Sequence, residues 1–212
     1  MKMLICGLDE AGRGSVFGNL CIGCCVMDKN TEYDAKDSKK LSAKKRNLYF
    51  DALKDKAVEM NVLEITPTQL NQMHDSGMTL NEIEVWGYTT LLNSLDNKPN
   101  LIVLDSCDVN EERFGRQVCN GLDYECENII SLHKADEKYK IVGAASIIAK
   151  TYREKNVDTL KSIYGSHIGS GYPSDKKTIH FLTEYYTQHK TFPDETRLFW
   201  STLDKIKQKI DH

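Results

Sequence analysis

The chain has 212 residues, 40% hydrophobic and 28% charged, with a formal net charge of −3. That size suits one large α/β domain, alone or with a small helical appendage, and the composition excludes a disordered chain. The acidic balance argues against wholesale coating of nucleic acid but leaves room for a local basic face.

Short apolar runs predict strands at 2–8, 19–27, 58–65, 100–105 and 127–132. Between the second and third strands, Lys36, Lys39, Lys40, Lys44, Lys45 and Arg46 cluster; charge alone reads this as a solvated helix face. Ser42-Ala43 opens a helix to Leu53. Thr79 and Glu82 stand at capping-box spacing and open a second helix, which runs to Leu95. A third covers 110–120, and the longest runs from Lys138 to Tyr164 with the apolar stripe Val142, Ala145, Ile148 and Ala149. A last pair follows at 175–189 and 194–210. Three early strands, then alternation, then helices alone predict an α/β fold with a mixed five-stranded sheet, helices on both faces and an all-helical tail.

The seven cysteines are odd in number and dispersed. Cys21 and Cys24 have Cys-x-x-Cys spacing without a second pair, so small core-strand residues are expected there and not a zinc site. The first strand leaves no room for a signal peptide, and the least polar run, Val16 to Met27, is far short of a membrane span. A cytoplasmic protein with reduced thiols is expected.

Carboxylates mark the strand ends. The first strand is expected to end at Asp9-Glu10, the fourth, "LIVLD", ends at Asp105, and the fifth leads into "HKADEK" with Asp136. Open α/β sheets keep their sites at that edge. Clustered carboxylates need a cation or a proton, and hard divalent ions prefer oxygen ligands. Plainer roles exist for each, since Asp136 suits a helix N-cap and Asp105 a turn with Ser106. Adjacent strand residues face opposite sides, so Asp9 and Glu10 serve one site only if the chain turns there. Gly12 and Gly14 would allow that turn and a close backbone approach to a ligand, with Arg13 alongside.

The chain resembles the type 2 ribonucleases H (ribonuclease HII), archaeal branch. The resemblance is carried by "GLDEAGRG", "DSKKLS", "LNEIE", "VLDS", "HKADEKYKIVGAASIIAK", "GSGYPSD" and "RLFW", in the family's order along nearly the whole chain. It implies a ribonuclease H-like catalytic domain over 1–165 with a C-terminal helical extension, 166–212, packed on it. Asp9, Glu10, Asp105 and Asp136 fall on the family's catalytic, metal-binding carboxylates, which imply Mg2+ or Mn2+. Gly12-Arg13-Gly14 falls on the turn that recognises a ribonucleotide's 2′-hydroxyl, and Tyr172 on the tyrosine that stacks on the junction sugar. Lys39, Lys40, Ser146 and Lys150 match phosphate contacts.

The implied activity is endonucleolytic cleavage of RNA in RNA/DNA hybrids, and 5′ to ribonucleotides embedded in duplex DNA, by a monomer. Asp108 is expected to be structural or outer-shell, and His133 structural. Prolines common in the family near Ser15, Asn19 and Cys107 are missing, which bears on the stiffness of two turns. A DNA-only nuclease would have no use for a 2′-hydroxyl reader, and a non-catalytic module would repel phosphate with four carboxylates. A clamp partner is left open, since the tail "DKIKQKIDH" resembles no clamp-binding peptide.

Overall fold

β1 (Leu4–Ala11) and β2 (Leu20–Asp28) pair antiparallel, from Leu4↔Asp28 to Ala11↔Cys21. The computed structural model describes residues 3–33, 42–126 and 128–211. β3 (Glu59–Ile65), β4 (Leu101–Asp105) and β5 (Ile129–Leu132) complete a five-stranded sheet of order β3-β2-β1-β4-β5. β1–β4 and β4–β5 are parallel, with Leu8 opposite Leu104 and Asp105 opposite Leu132. β1, β2 and β4 are inner strands covered on both faces, which is why they read as nearly unbroken apolar runs.

The helices are α1 (Ala43–Lys54), α2 (Pro67–Asp75), α3 (Leu80–Asn93), α4 (Glu111–Asn120), α5 (Ala135–Lys138), α6 (Lys140–Tyr164), α7 (Lys176–His189) and α8 (Ser201–Asp211). α3 starts on the expected capping box: Thr79 Oγ1 accepts the Glu82 amide at 3.3 Å, and Glu82 accepts the Thr79 amide at 2.8 Å. α2, not anticipated, uses the same device with Thr66 and Gln69.

The chain forms two compact units. The first comprises the chain up to Ala11, Cys21–Leu63 and Thr79–Tyr152, and holds nearly all of the sheet. Its core includes Cys25, Met27, Phe50, Val103, Val142, Ile147 and Ile148, all buried. The early part of α6 lies close on the sheet because Gly7 and Gly23 carry no side chain. A Cβ at Gly7 would fall 2.4 Å from the Ile141 carbonyl, and one at Gly23 would fall 2.4 Å from the Ala145 oxygen. The other face carries α3 and α4, with Tyr88 edge-on to Phe114 at 5.2 Å.

The second unit comprises Gly12–Leu20, Glu64–Met78 and the chain from Arg153 onward. Its core is Val16, Phe17, Leu160, Ile168, Phe181, Leu182, Tyr186, Phe192, Leu203 and Ile206. The last helix starts at Ser201, not at 194. The residues before it spend their backbone elsewhere: Phe17 bridges Thr196, and Arg197 N donates to Val16 O at 2.9 Å.

The first strand also differs from expectation. It runs past Asp9-Glu10 to Ala11, with Asp9 opposite Gly23 and Glu10 opposite Ile22. The turn begins only at Gly12, whose φ is +85°, so it does not swing the two carboxylates onto one side.

Candidate active site

Asp9 points toward α6. Ser146 donates a hydrogen bond to its carboxylate, and the Lys150 charge favours the ionised form. Lys150 Nζ also donates to Ser146 Oγ at 2.8 Å, as expected for residues one helical turn apart. The close approach permitted at Gly7 and Gly23 brings this pair over the strand. Asp9 is 5% exposed, and its carboxyl is pushed up to about 7, first by burial and then by Asp105, with Asp136 adding to the rise. Ser146 and Lys150 oppose that rise.

Glu10 lies on the opposite face of β1, as strand geometry requires. The Tyr88 hydroxyl donates to Glu10 Oε2 at 2.8 Å and lies 3.2 Å from the Asp105 carbonyl oxygen. Burial, then Asp9, then the buried Glu84 hold the Glu10 carboxyl well above its usual range, and the Tyr88 bond pulls the other way.

Asp105 ends β4 beside Asp9 in the sheet, and its Oδ1 accepts the Ala135 amide at 2.8 Å. That bond ties α5 to the strand end and brings Asp136, in the first turn of α5, to the same edge. Lys134 precedes it in the left-handed region, at φ 55°, uncommon for a residue with a side chain. Asp136 is therefore inside the short helix and is not its N-cap.

Asp9, Asp105, Asp136, Ser146 and Lys150 thus gather on one side of the first unit, with Glu10 reaching the same strand ends from the other. Among the described residues, no three Asp, Glu, His or Cys side chains already form a closed metal cage. The donor set is nonetheless all oxygen, and burial, with mutual repulsion adding to it, has raised two of its members. That chemistry fits hard divalent cations.

Asp108 is buried and paired with Arg113, whose Nη2 lies 2.6 Å from Oδ1, and this pair holds the carboxyl below its ordinary range. His133 places Nε2 2.7 Å from the Asp108 carbonyl oxygen.

Gly12, Arg13, Gly14 and Tyr172 belong to the second unit. The Ser15 amide donates to Gly12 O at 3.2 Å, closing the turn. A Cβ on Gly14 would lie 3.8 Å from the Tyr172 ring, which is 37% exposed. The Gly171 carbonyl accepts the amides of Val16 and Phe17 at 2.9 and 3.1 Å, which ties Tyr172's strand of chain to the turn. Lys39 and Lys40 lie outside the described residues.

The sequence reading gave no role to Tyr88, Glu84, Arg153 or Arg197. Tyr88 and Glu84 stand four residues apart, and two polar groups on the apolar side of α3 were the available signal. Arg197 lay in plain view within "RLFW".

A family model described as ribonuclease HII matches residues 6–203. The ribonuclease HII of Thermococcus sibiricus is 46% identical over 213 residues, covering 98% of this chain and 93% of that protein. That of Pyrococcus horikoshii is 44% identical, with 98% and 94% covered. The crystal structure of the ribonuclease H2 of Pyrococcus horikoshii superposes with a TM-score of 0.91 at 43% identity, covering 99% of both chains. Ribonuclease HII in the PCNA:RNase HII complex from Archaeoglobus fulgidus superposes at 0.83 with 34% identity, covering 93% and 95%. Bst-RNase HIII, at 18% identity and a TM-score of 0.81, shares the fold. Motifs, sheet topology and these similarities agree: the chain belongs to the ribonuclease HII family and is an endoribonuclease acting on RNA/DNA hybrids.

Proposed function

We propose that the protein cuts on the 5′ side of single ribonucleotides embedded in duplex DNA as well as within longer hybrids, leaving 3′-hydroxyl and 5′-phosphate ends. Asp9, Glu10, Asp105 and Asp136 are the proposed ligands of two divalent ions, Mg2+ or Mn2+. Bound there, such ions would lower the pKa of an attacking water and neutralise charge on the attacking and leaving oxygens. The observation that carries this reading is the burial-driven rise at Asp9 and Glu10 beside further carboxylates: the protein holds acidic oxygens where only a cation or a proton relieves them.

The remaining groups bind and select. Lys150, whose Nζ donates to Ser146 Oγ, is proposed with Ser146 to contact a backbone phosphate, and Lys39 and Lys40 are proposed to extend that track. Binding by these lysines would weaken as salt rises. The Gly12-Arg13-Gly14 turn and Tyr172 are proposed to recognise the 2′-hydroxyl, which distinguishes RNA from DNA locally. The biological role would be ribonucleotide excision repair and hybrid removal by a cytoplasmic monomer; no helix among the described residues is long and apolar enough to cross a membrane. A sliding clamp is a proposed partner, because the Archaeoglobus fulgidus relative is seen with PCNA.

The test is a labelled duplex carrying one ribonucleotide, incubated with and without Mg2+, beside an all-DNA duplex. Metal-dependent cutting at the ribonucleotide alone is expected. Equal cutting of the all-DNA duplex would overturn the assignment of a 2′-hydroxyl reader.

A further inference from the structure

Two arginines are sunk beneath the Gly-Arg-Gly turn. Arg197 is 0% exposed and Arg153 is 5% exposed, so both charges sit where burial is expensive unless hydrogen bonds satisfy them. Arg197 Nε and Nη2 donate to Gly18 O at 3.0 and 2.9 Å, and Nη1 donates to Arg13 O at 3.0 Å. Arg153 Nη2 donates to Ser15 Oγ at 3.1 Å, Phe17 O at 2.9 Å and Ser170 O at 3.2 Å.

Contact is close enough that only glycine fits above Arg153. A Cβ on Gly12 would lie 2.7 Å from its Nε, one on Gly18 2.7 Å from Nη1 and one on Gly171 2.6 Å from Nη2. All three glycines have positive φ, from +85° to +88°. The guanidinium groups and the glycines thus fix each other's placement.

The direction of these bonds matters for recognition. In a trans peptide the carbonyl oxygen and the next amide hydrogen point opposite ways. Arg197 draws Arg13 O inward, so the same peptide plane turns the Gly14 N–H outward. Gly14 also faces the Tyr172 ring, which would lie 3.8 Å from a Cβ built there. A planar fork holds two carbonyls at a fixed angle, which an ammonium cannot reproduce.

We propose that Arg197 and Arg153 are positioning residues that aim the Gly14 amide at the substrate and thereby set how strongly a ribonucleotide is preferred. This rests on the reading of Gly12-Arg13-Gly14 and Tyr172 as the ribonucleotide reader. Neither arginine is among the proposed metal ligands. Their effect is on selection.

The readout is the ratio of affinities for a duplex with one ribonucleotide and the same duplex in all-DNA form, measured in an Asp105→Asn background. A fold-stabilising role alone would weaken both affinities together and leave the ratio unchanged. Arg197→Lys and Arg153→Lys, each folded by circular dichroism, are expected to lower the ratio about tenfold, near 1.4 kcal/mol. If both keep the parental ratio while Tyr172→Ala lowers it, the inference fails and the reader stands. If Tyr172→Ala keeps it too, the reader reading fails and the inference falls with it. Should the lysine variants not fold, hydrogen exchange on the unmodified chain decides. Slow exchange at the Val16, Phe17 and Gly18 amides supports a pre-set turn, and fast exchange overturns it.

Discussion

The Tyr88 hydroxyl meets Glu10 Oε2 at 2.8 Å on the sheet face opposite the one from which Ser146 reaches Asp9. Neighbouring carboxylates on one strand are therefore supported by different helices, α3 for Glu10 and α6 for Asp9. Tyr88→Phe keeps the ring that packs on Phe114 and removes a bond that favours the ionised Glu10. A single neutral-to-charged hydrogen bond is worth about 1.5–3 kcal/mol. The variant should fold and need at least about tenfold more divalent metal for half-maximal cutting. An unchanged metal titration would show that Tyr88 does not support Glu10.

Asp9→Asn should abolish cutting while hybrid binding largely persists. The same change should stabilise the metal-free protein. Folding raises the Asp9 carboxyl from its ordinary 3.8 to about 7. The folded state thus binds the proton more tightly than the unfolded one, and stability declines as pH climbs between those values. Asparagine is neutral throughout. Thermal melts without metal should favour Asp9→Asn at mildly alkaline pH, and the gap should close on acidification. A lower melting temperature for the variant at every pH would contradict the burial argument.

Gly23→Ala places a methyl 2.4 Å from the Ala145 oxygen, which belongs to helix backbone and cannot rotate away. Overpacking of this kind costs about 1–3 kcal/mol, more than alanine's entropic advantage returns. Urea unfolding should show the loss. Cutting should fall as well, because α6 carries Ser146 and Lys150 over Asp9. Wild-type stability would mean the helix sits farther from the sheet than described.

Asp175 caps α7 and holds the approach to Tyr172. Its carboxylate accepts the Ser170 amide and hydroxyl, both at 2.8 Å, and the Lys177 amide at 2.9 Å. Asp175→Ala should cost about 1 kcal/mol at neutral pH. The Ser170 bonds hold this carboxyl below its ordinary 3.8, so its contribution is complete above that value and disappears as pH falls through the lower folded one. Melts of the two proteins should converge in strong acid. A constant difference across pH would place the effect outside the carboxylate.

Element order was legible because periodicity and caps are local: Thr79 with Glu82 announced α3, and the unbroken run of β2 announced an inner strand. Sequence also pointed to Asp9, Asp105 and Asp136, because a carboxylate close after a short apolar run is conspicuous. The opposite facing of Glu10 was not legible, since strand length depends on pairing with Gly23 and Ile22 and not on the residues themselves. Nor was the start of α8. "TRLFW" has ordinary helical potential, but tertiary bonds of Thr196, Arg197 and Leu198 to the segment near Phe17 and to Asn71 keep it out of the helix. Buried arginines stay hidden for the same reason: most of their partners are backbone carbonyls, which every residue has.

The strand order carries a consequence for biosynthesis. β1 and β2 are neighbours in sequence and can pair early, but β1's other edge is filled by β4, which is made only after three helices and β3 have followed. During translation that edge is an open row of amides and carbonyls on a strand apolar on both faces, the kind of template that recruits other chains. Slow elongation before Leu101–Asp105 would prolong that exposure. Recombinant yield should therefore respond to codon choice ahead of β4 more than to codon choice in the C-terminal helices.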